Sequence, residues 1–270
     1  MQPFISVIIP TFKRDIDLLH CLTELNKQLH LELKNNFEII VTDDGHSFDL
    51  KNALNKSFID VKYLLGPQKG PAANRNFGAQ NAIGNWLIFL DDDCIPQDGF
   101  LLAYLELINS SNYNVIEGKT ISNQPKKRYD EVAPINENGG KLWSCNFAIK
   151  KNTFFEVGCF DENFLFATME DIDLKSRLIK FETLFFCSNA IVIHPWRRRV
   201  AFANFKNRIK SQKYFIKKSN TKTNLNFKIG RLKILIGDAV FGFKNLASYS
   251  FRGWKCYIDK LVFNFILIFI

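Results

Sequence analysis

Residues Trp86–Asp93 read WLIFLDDD, five apolar residues followed directly by three carboxylates. A short apolar run of this kind predicts a strand of a parallel sheet that is buried on both faces. The three acids stand where that strand ends, and ligands of open α/β sheets bind beyond the carboxyl ends of the strands. Clustered carboxylates repel one another unless a cation lies between them. The triplet therefore indicates a divalent metal site, with a solvated turn as the alternative interpretation.

Alternating strands and helices are predicted on the amino-terminal side of this triplet. The apolar runs are Phe4–Ile9, Phe37–Val41 and Val61–Leu65, and the helical patterns are Leu18, Leu22, Leu25, Leu29 and the segment Ala72–Ile83. Asp15 is the expected N-cap of the first helix. Apolar strands that alternate with helices favour an α/β fold with a mainly parallel sheet covered on both faces. The strands then end in Pro10-Thr11, Asp43-Asp44 and the acid triplet, which brings five carboxylates to one rim.

The chain after the triplet is predicted to contain a loop, two strands and a helix. Residues 119–141 are polar and rich in Lys, Asn, Pro and Gly, which predicts a mobile loop. Strands are expected at Cys145–Ile149 and at Ala190–Ile193, and Glu170 opens a helix. Asp173 and Arg177, four residues apart, are expected to pair on the surface of that helix. From about Arg199 onward, aromatic and aliphatic residues alternate with Lys and Arg. We therefore predict two domains, residues 1–200 and a helical, basic carboxyl-terminal extension at residues 201–270.

The charges of the chain are divided unevenly. Residues 197–270 hold 17 Lys and Arg against two acids, a net charge of +15, whereas residues 1–196 carry a net charge of −6. Such a basic segment predicts a polyanionic partner, with a solvated helix face and a nucleic-acid-binding patch as the alternative interpretations. The apolar runs Leu232–Phe243 and Leu261–Ile270 favour a membrane surface, so no nucleic acid partner is expected. The last run is too short to span a bilayer, and packing on the body or a homo-oligomer are the alternatives.

Cysteine spacing and the amino terminus bear on the compartment. The six cysteines show neither a disulfide framework nor a zinc-binding spacing. The first residues enter a strand directly, without the pattern of a signal peptide. We therefore expect a cytoplasmic protein, peripheral on the inner face of the cell membrane.

Several polar residues have both a chemical and a structural interpretation. Glu170-Asp171 either complements a helix dipole or supplies a general base that deprotonates a hydroxyl. His194 is either a structural histidine or a ligand of a transition metal. Arg75 either contacts a phosphate near a helix start or lies at the surface. Trp143 either stacks on a sugar or packs in the core.

Five segments, taken in order, resemble the family 2 glycosyltransferases of the GT-A fold. They are Ser6–Arg14 (SVIIPTFKR), Val41–Gly45 (VTDDG), Gly70–Gly78, Asp91–Asp93 and Gly158–Leu178. The resemblance implies a GT-A domain with a Rossmann-like nucleotide-binding half, whose mainly parallel sheet has a small antiparallel part. This domain transfers a sugar from a nucleotide diphosphate sugar. UDP is the expected nucleotide, and a hydroxyl of a glycan or of a lipid-linked molecule is the expected acceptor. The resemblance also implies Mn²⁺ or Mg²⁺ as cofactor and inversion at the anomeric carbon.

The same resemblance implies roles for the matching residues. The nucleotide sugar would be held by Pro10, Thr11, Arg14, Asp43, Asp44, Arg75, Asp91 and Asp92, with Asp44 favoured over Asp43 for the contact with the base. Asp93 and His194 would bind the metal, and Asp171 would be the general base. We expect Trp143 and Glu170 to contact the acceptor.

Two alternative functions use the same residues. A nucleotidyltransferase with a similar nucleotide-binding half would use the acid triplet but would not need Glu170-Asp171 followed by His194. A glycan- or nucleotide-binding protein without turnover would need neither a base nor a complete metal site. The chain contains neither G-x-x-x-x-G-K-[ST] nor G-x-G-x-x-G, which argues against a P-loop nucleotidase and an ordinary dinucleotide enzyme.

Overall fold

The computed structural model describes residues 4–29, 33, 35–56, 60–221 and 223–270, which divide into two units. The first unit is the chain up to Asn123 together with Pro134–Pro195. The second unit is Gln124–Ala133 together with Trp196–Ile270, so it includes a segment from the middle of the chain. Every residue predicted for the active site lies in the first unit.

The secondary structure alternates between strands and helices until the last quarter of the chain, which is helical. The strands are β1 Ile5–Thr11, β2 Phe37–Asp43, β3 Lys62–Leu65, β4 Trp86–Leu90, β5 Ile95–Pro96, β6 Val115–Ile121, β7 Glu131–Val132, β8 Asn146–Lys150, β9 Leu184–Ile193 and β10 Arg197–Arg198. The helices are α1 Asp15–Gln28, α2 Phe48–Lys56, α3 Pro71–Asn81, α4 Phe100–Ser110, α5 Lys151–Glu156, α6 Glu170–Leu178, α7 Phe205–Lys218, α8 Leu225–Ser248 and α9 Trp254–Leu267.

One sheet of eight strands, in the order β3-β2-β1-β4-β8-β6-β9-β5, forms the centre of the first unit. β3, β2, β1 and β4 run parallel, so their carboxyl ends meet at one edge. β8 runs antiparallel to β4 and to β6, and β5 runs antiparallel to β9. The predicted α/β class, with a mainly parallel sheet and a smaller antiparallel part, is confirmed.

The sheet is buried on both faces because successive side chains of a strand point to opposite sides. In β1, Ile5, Val7 and Ile9 pack in the cluster that includes residues of α1 and α4. Ile8, between them, packs in the cluster that includes residues of α3, α5 and α6. This burial on two sides explains why the strands read as continuous apolar runs, and it fixes the positions of their carboxyl ends.

Two predictions about helices need correction. α1 begins at Asp15, and Arg14 is its N-cap residue, because the Asp15 carboxylate accepts a hydrogen bond of 2.7 Å from the Ser47 hydroxyl. Asp173 and Arg177 do pair across one turn of α6, at 2.9 Å. The Asp173 carboxylate is buried, however, so the pair does not lie at the surface.

The sequence predicts a mobile loop at residues 119–141, and the structure corrects part of this prediction. Residues 119–121 complete β6, and Glu131–Val132 form β7. Thr120 and Asn136 exchange two backbone hydrogen bonds of 3.0 and 2.9 Å. Main-chain pairing therefore holds polar residues that composition alone assigns to a loop.

The second unit contains the antiparallel pair β7 and β10 and the helices α7–α9. The buried carboxylate of Asp259 forms ion pairs with Arg199 at 3.0 Å and with Arg208 at 2.8 Å. α8 and α9 pack together where the Tyr257 hydroxyl donates to the carbonyl of Ala239 at 2.8 Å. The helical character predicted for the basic extension is confirmed. Within the described residues, no helix combines the length and the apolar character needed to cross a bilayer.

Candidate functional site

A cleft of about 640 Å³ opens at the carboxyl ends of β1, β2 and β4. It is lined by Pro10, Thr11, Phe12, Arg14, Asp44, Gln68, Gly70, Pro71, Asn74, Arg75, Asp91, Asp92, Leu165, Phe166 and Ala167. Of the residues predicted to hold the nucleotide sugar, all but Asp43 belong to this lining. A cleft at strand ends, with a few charged groups and an apolar wall, suits a ligand of nucleotide size.

Two carboxylates of the acid triplet share one arginine. Asp92 accepts hydrogen bonds from the Thr11 hydroxyl at 2.8 Å and from Nη1 of Arg14 at 3.0 Å. The same nitrogen of Arg14 lies 3.0 Å from Oδ2 of Asp93. Burial raises the pKa of Asp92 to about 6, although Arg14 and Thr11 act in the opposite direction. The strand end thus concentrates negative charge that is stable only beside cations.

Asp93 and His194 form the part of the site that fits a metal ion. Nδ1 of His194 lies 2.8 Å from the carbonyl oxygen of Pro195, which can only accept, so Nδ1 carries a proton. In the neutral ring, Nε2 then presents a lone pair to Oδ1 of Asp93, 3.2 Å away. Two lone pairs at this distance need a proton or a cation between them. An oxygen and an imidazole nitrogen together suit Mn²⁺ better than Mg²⁺.

Cys94 completes a cluster whose ligand atoms, with those of Asp93 and His194, lie within 4.8 Å of one another. Burial raises the pKa of the Cys94 thiol well above its usual range, and the thiol faces the carbonyl of Cys145 at 3.6 Å. A protonated thiol is a poor ligand for a hard ion. The fit of this site to a metal ion therefore rests on the Asp93 carboxylate and the His194 imidazole.

The two acids after β2 have different surroundings. Asp43 accepts three hydrogen bonds of 2.7 Å, two from backbone N–H groups of its own turn and one from the Tyr63 hydroxyl. Asp44 lines the cleft and accepts hydrogen bonds from the backbone N–H groups of Gln68 and Gly70, at 2.9 and 3.2 Å. Burial raises the pKa of Asp44, and these two hydrogen bonds limit the rise. The geometry favours Asp44 over Asp43 as a contact for a ligand.

Gly66 leaves room for the Asp44 carboxylate. A Cβ atom at position 66 would collide with Oδ1 of Asp44 and would lie 2.5 Å from Oδ1 of Asn74. We predict that Gly66→Ala lowers the free energy of unfolding by about 1–3 kcal/mol and weakens nucleotide binding, because both neighbours line the cleft. Thermal unfolding with and without nucleoside diphosphate measures both effects.

Gly237→Ala is the matched control, since no neighbouring atom of the described residues lies within 4 Å of a Cβ built there. In the middle of α8 this change should be neutral or slightly stabilising. Equal losses of stability in the two variants would contradict the assignment of Gly66 to the Asp44 contact.

Arg75 connects the acid triplet with the acid pair that opens α6. Its Nη2 donates to Asp91 at 2.7 Å, and its Nη1 lies 3.6 Å from Oε1 of Glu170. The side chain is buried, and among the described residues its Nε and Nη1 have no hydrogen-bond partner. Buried guanidinium N–H groups that lack a hydrogen-bond partner among the described residues favour an anionic ligand in the adjoining cleft.

Asp171 lies in the first turn of α6 and is held by Ser144. Burial raises the pKa of Asp171, whereas Arg75 and the hydrogen bonds from Ser144 lower it, and the balance is a raised pKa. Its Oδ1 atom is shielded from solvent and, within the described part of the chain, has no hydrogen-bond partner. A carboxylate with a raised pKa, and with an oxygen that the described residues leave unpaired, is a better proton acceptor than an ordinary aspartate.

Glu170 is predicted to make stability depend on pH. Burial, followed by the charge of Asp171, raises the pKa of Glu170 from 4.5 to about 7. A carboxyl whose pKa is higher in the folded state favours folding when it is protonated. Its contribution is therefore full below pH 4.5 and is lost as the pH rises through about 7.

We predict that Glu170→Gln makes Tm fall less than in the wild type between about pH 5 and pH 8, because the amide does not titrate. Glu156→Gln, which changes an exposed acid at the end of α5, should keep the wild-type slope. Thermal unfolding across this pH range distinguishes the two variants. Identical slopes for Glu170→Gln and the wild type would contradict the raised pKa.

The sequence left two interpretations open for Trp143, and it did not predict Ser144 or the apolar wall of the cleft. Trp143 packs partly against the core and donates Nε1 to the carbonyl of Ile135 at 3.3 Å. Its packing role is therefore observed, and its acceptor contact stays a prediction. Ser144, which holds Asp171, carries no pattern that would single it out. The apolar wall was also missed, although its residues lie within or next to the quoted motifs: Phe12, Leu165 and Phe166.

Comparison with known proteins identifies a family and relatives of this chain. The model of glycosyl transferase family 2 matches residues 6–168. The GalNAc(5)-diNAcBac-PP-undecaprenol beta-1,3-glucosyltransferase of Campylobacter jejuni is 30% identical over 178 residues, 60% of this chain and 56% of that protein. Glycosyltransferase AglE of Haloferax volcanii is 27% identical over 177 residues, 60% of this chain and 58% of that protein. The chain thus spans less than two thirds of the length of either relative.

Solved structures share the fold. TarS of S. aureus, in complex with UDP-GlcNAc, has a TM-score of 0.59 at 18% identity, covering 78% of this chain and 65% of that one. A mannosyltransferase of Pyrobaculum calidifontis, in complex with GDP-Man and Mn²⁺, has a TM-score of 0.64 at 12% identity, covering 99% and 86%. Both are GT-A glycosyltransferases, so the predicted GT-A fold is confirmed.

Proposed function

Because this chain belongs to glycosyl transferase family 2, we propose that it is an inverting, metal-dependent glycosyltransferase. It moves a sugar from a nucleotide diphosphate sugar to a hydroxyl of a glycan or lipid-linked acceptor. The observation that carries the proposal is the position of Arg75, whose guanidinium lines the nucleotide-sized cleft and lies beside the acid pair that contains Asp171. A binding site for the leaving group thus adjoins a candidate base.

The proposed donor site uses the lining of the cleft. We propose a UDP-linked sugar as donor, the kind of nucleotide sugar that TarS binds, with Asp44 accepting a hydrogen bond from the N–H group of the uracil ring. Pro10 and Thr11 pack beside the nucleoside, while Asp91 and Asp92 face its ribose. Arg75 and Arg14 contact the diphosphate, where guanidinium groups form strong hydrogen bonds.

Asp93 and His194 are the residues that would hold Mn²⁺ or Mg²⁺. When it is bound, a divalent ion supplies Lewis-acid stabilisation of the negative charge on the leaving diphosphate. The Nδ1–H group of His194 keeps its bond to the Pro195 carbonyl, which fixes the ring with Nε2 directed at Asp93.

The proposed reaction is a direct displacement. The acceptor hydroxyl oxygen forms a bond to the anomeric carbon, and Asp171 takes the hydroxyl proton. The bond from the anomeric carbon to the diphosphate oxygen breaks, and its electron pair leaves with the nucleoside diphosphate. Arg75 stabilises the charge of that leaving group. Attack from the opposite side inverts the anomeric configuration without a covalent glycosyl-enzyme, and Glu170 and Trp143 are the proposed contacts of the acceptor.

We propose that the enzyme is peripheral on the inner face of the cell membrane. The net charge of +15 in residues 197–270 supports this location, because anionic lipids attract basic segments. The Campylobacter relative is named for an undecaprenol-linked acceptor, which supports a lipid-linked acceptor for this chain as well.

A donor screen tests the proposed function. Purified protein is incubated with a panel of nucleotide sugars and with Mn²⁺, Mg²⁺ or EDTA, and released nucleoside diphosphate is measured. We expect release from one UDP-sugar, dependent on the divalent ion and increased by an acceptor. Nucleotide binding without release from any donor, with glycan and lipid-linked acceptors present, would favour a binding protein instead.

A further inference from the structure

Helix α8 of the second unit carries a row of exposed apolar side chains. The row is Leu225, Ile229, Leu232, Ile236, Val240 and Phe243, each 41–71% exposed. Spacings of three and four residues place these side chains on one side of the helix, over a length of about 27 Å. The buried residues Gly242 and Leu246 lie on a different side of the helix. Phe243, at the end of the row, also packs within the unit, with its ring centre 5.9 Å from that of Phe251 and 6.4 Å from that of Tyr257.

Helix α9 and the residues just after it carry a second row. Its members are Trp254, Ile258, Val262, Phe265 and Phe269, each 36–69% exposed. The buried residues Cys256 and Leu267 of α9 lie on the opposite side. Nζ of Lys255 lies 5.8 Å from the centre of the Trp254 ring. Trp beside Lys is typical of the boundary between water and lipid.

Charge decides which partner these rows fit. Helix α7 exposes a row of lysines at helical spacing, Lys206, Lys210, Lys213 and Lys217. Together with the net charge of +15 in residues 197–270, this row disfavours a second copy of the chain, which would bring two strongly positive surfaces together. An anionic bilayer satisfies both features, since its headgroups attract lysine and its acyl region accepts apolar side chains.

We infer that the apolar rows of α8 and α9, with the lysine row of α7, form the surface that docks on an anionic phospholipid bilayer. The inference deepens and rests on the proposed peripheral location, but it does not depend on the transfer chemistry. The apolar side chains enter the interface between headgroups and acyl chains, and the helices lie in its plane. The lysines remain at the level of the lipid phosphates.

Co-sedimentation of the full chain with vesicles tests the apolar rows. The vesicles contain phosphatidylcholine with about 30% phosphatidylglycerol, an anionic lipid. Ile229→Ser with Ile236→Ser removes two members of the α8 row, and Ile234→Ser with Phe241→Ser is the matched control. The control pair has the same spacing, is also exposed, and lies on the opposite side of the same helix. We expect the apparent dissociation constant to rise about tenfold or more in the first variant and to stay within about twofold in the control.

A charge variant tests the lysine row. Lys210→Gln with Lys213→Gln should weaken binding about fivefold per lysine and reduce its salt dependence. Lys51→Gln with Lys180→Gln makes the same change of charge at exposed positions of the first unit and should bind as the wild type does. Thermal unfolding and donor turnover without vesicles should be unchanged in all four variants, which separates a failure of docking from a failure of the proposed function.

Three results would overturn the inference. Equally tight binding of the wild type to pure phosphatidylcholine would remove the role of charge. Equal losses of vesicle affinity in the two α8 variants would show that the row does not contact the bilayer specifically. A dimer in solution that dissociates only in the Ile229→Ser/Ile236→Ser variant would assign the surface to a second copy.

Discussion

Asp171→Asn is expected to lower kcat by about 10²–10⁴-fold, the usual contribution of a general base. The amide keeps the size of the carboxylate and can still accept hydrogen bonds from Ser144, but it cannot take the proton of the acceptor hydroxyl. Asp171 does not belong to the lining of the nucleotide-sized cleft, so the affinity for nucleoside diphosphate should stay within about twofold of the wild type. Steady-state kinetics and calorimetric titration measure the two quantities.

Asp173→Asn is the control for Asp171→Asn, because it removes a carboxylate from the same turn of α6. Asp173 is buried and paired with Arg177, so its substitution should lower Tm while kcat changes little. Burial raises the pKa of Asp171, so kcat of the wild type should fall as the pH drops through that pKa. This fall should be absent from the residual activity of Asp171→Asn. Equal losses of kcat in the two variants would exclude Asp171 as the base.

Asp93→Asn is expected to weaken Mn²⁺ binding by about a hundredfold or more and to remove the metal dependence of nucleotide binding. The change removes the negative charge that faces Nε2 of His194 at 3.2 Å and Nη1 of Arg14 at 3.0 Å. Titration of Mn²⁺ by electron paramagnetic resonance, without nucleotide, measures the metal affinity directly. Calorimetric titration of UDP with and without Mn²⁺ measures its coupling to the nucleotide.

Asp98→Asn, five residues further along the chain and exposed, is the control for Asp93→Asn and should leave both titrations unchanged. In the wild type, EDTA should stop donor turnover, and Mn²⁺ should restore it more fully than Mg²⁺, because an imidazole nitrogen suits Mn²⁺. Unchanged affinity for Mn²⁺ in Asp93→Asn would exclude this carboxylate as a ligand.

The parallel half of the fold could be predicted because its strands are buried on both faces. Trp86–Leu90 and Phe37–Val41 are uninterrupted apolar runs, and such runs occur where helices cover both sides of a sheet. The end of β6 was harder, since residues 119–121 are held by parallel pairing with residues 191–193 of β9 rather than by their own composition. The N-cap of α1 was missed for a similar reason. The Asp15 carboxylate accepts a hydrogen bond from the hydroxyl of Ser47, which lies far along the chain.

The carboxylates of the site could be predicted because they stand at strand ends and in quoted motifs. The hydrogen-bond partners and the exposure of each carboxylate could not be predicted, since they depend on neighbours that only folding brings together. Asp43 and Asp44 are adjacent in sequence, yet Tyr63 binds one and the cleft exposes the other. Arg75 likewise reads as one arginine among many, and only the structure shows its buried guanidinium between Asp91 and Glu170.

Nuclear magnetic resonance of a transfer reaction tests the proposed inverting transfer most directly. It would use the donor found in the screen, Mn²⁺, and glycan or lipid-linked acceptors. We expect one new glycosidic linkage, with anomeric configuration opposite to that of the donor sugar and one nucleoside diphosphate released per linkage. Retained configuration would contradict displacement assisted by Asp171, and metal-dependent nucleotide binding with no new linkage would contradict glycosyl transfer itself.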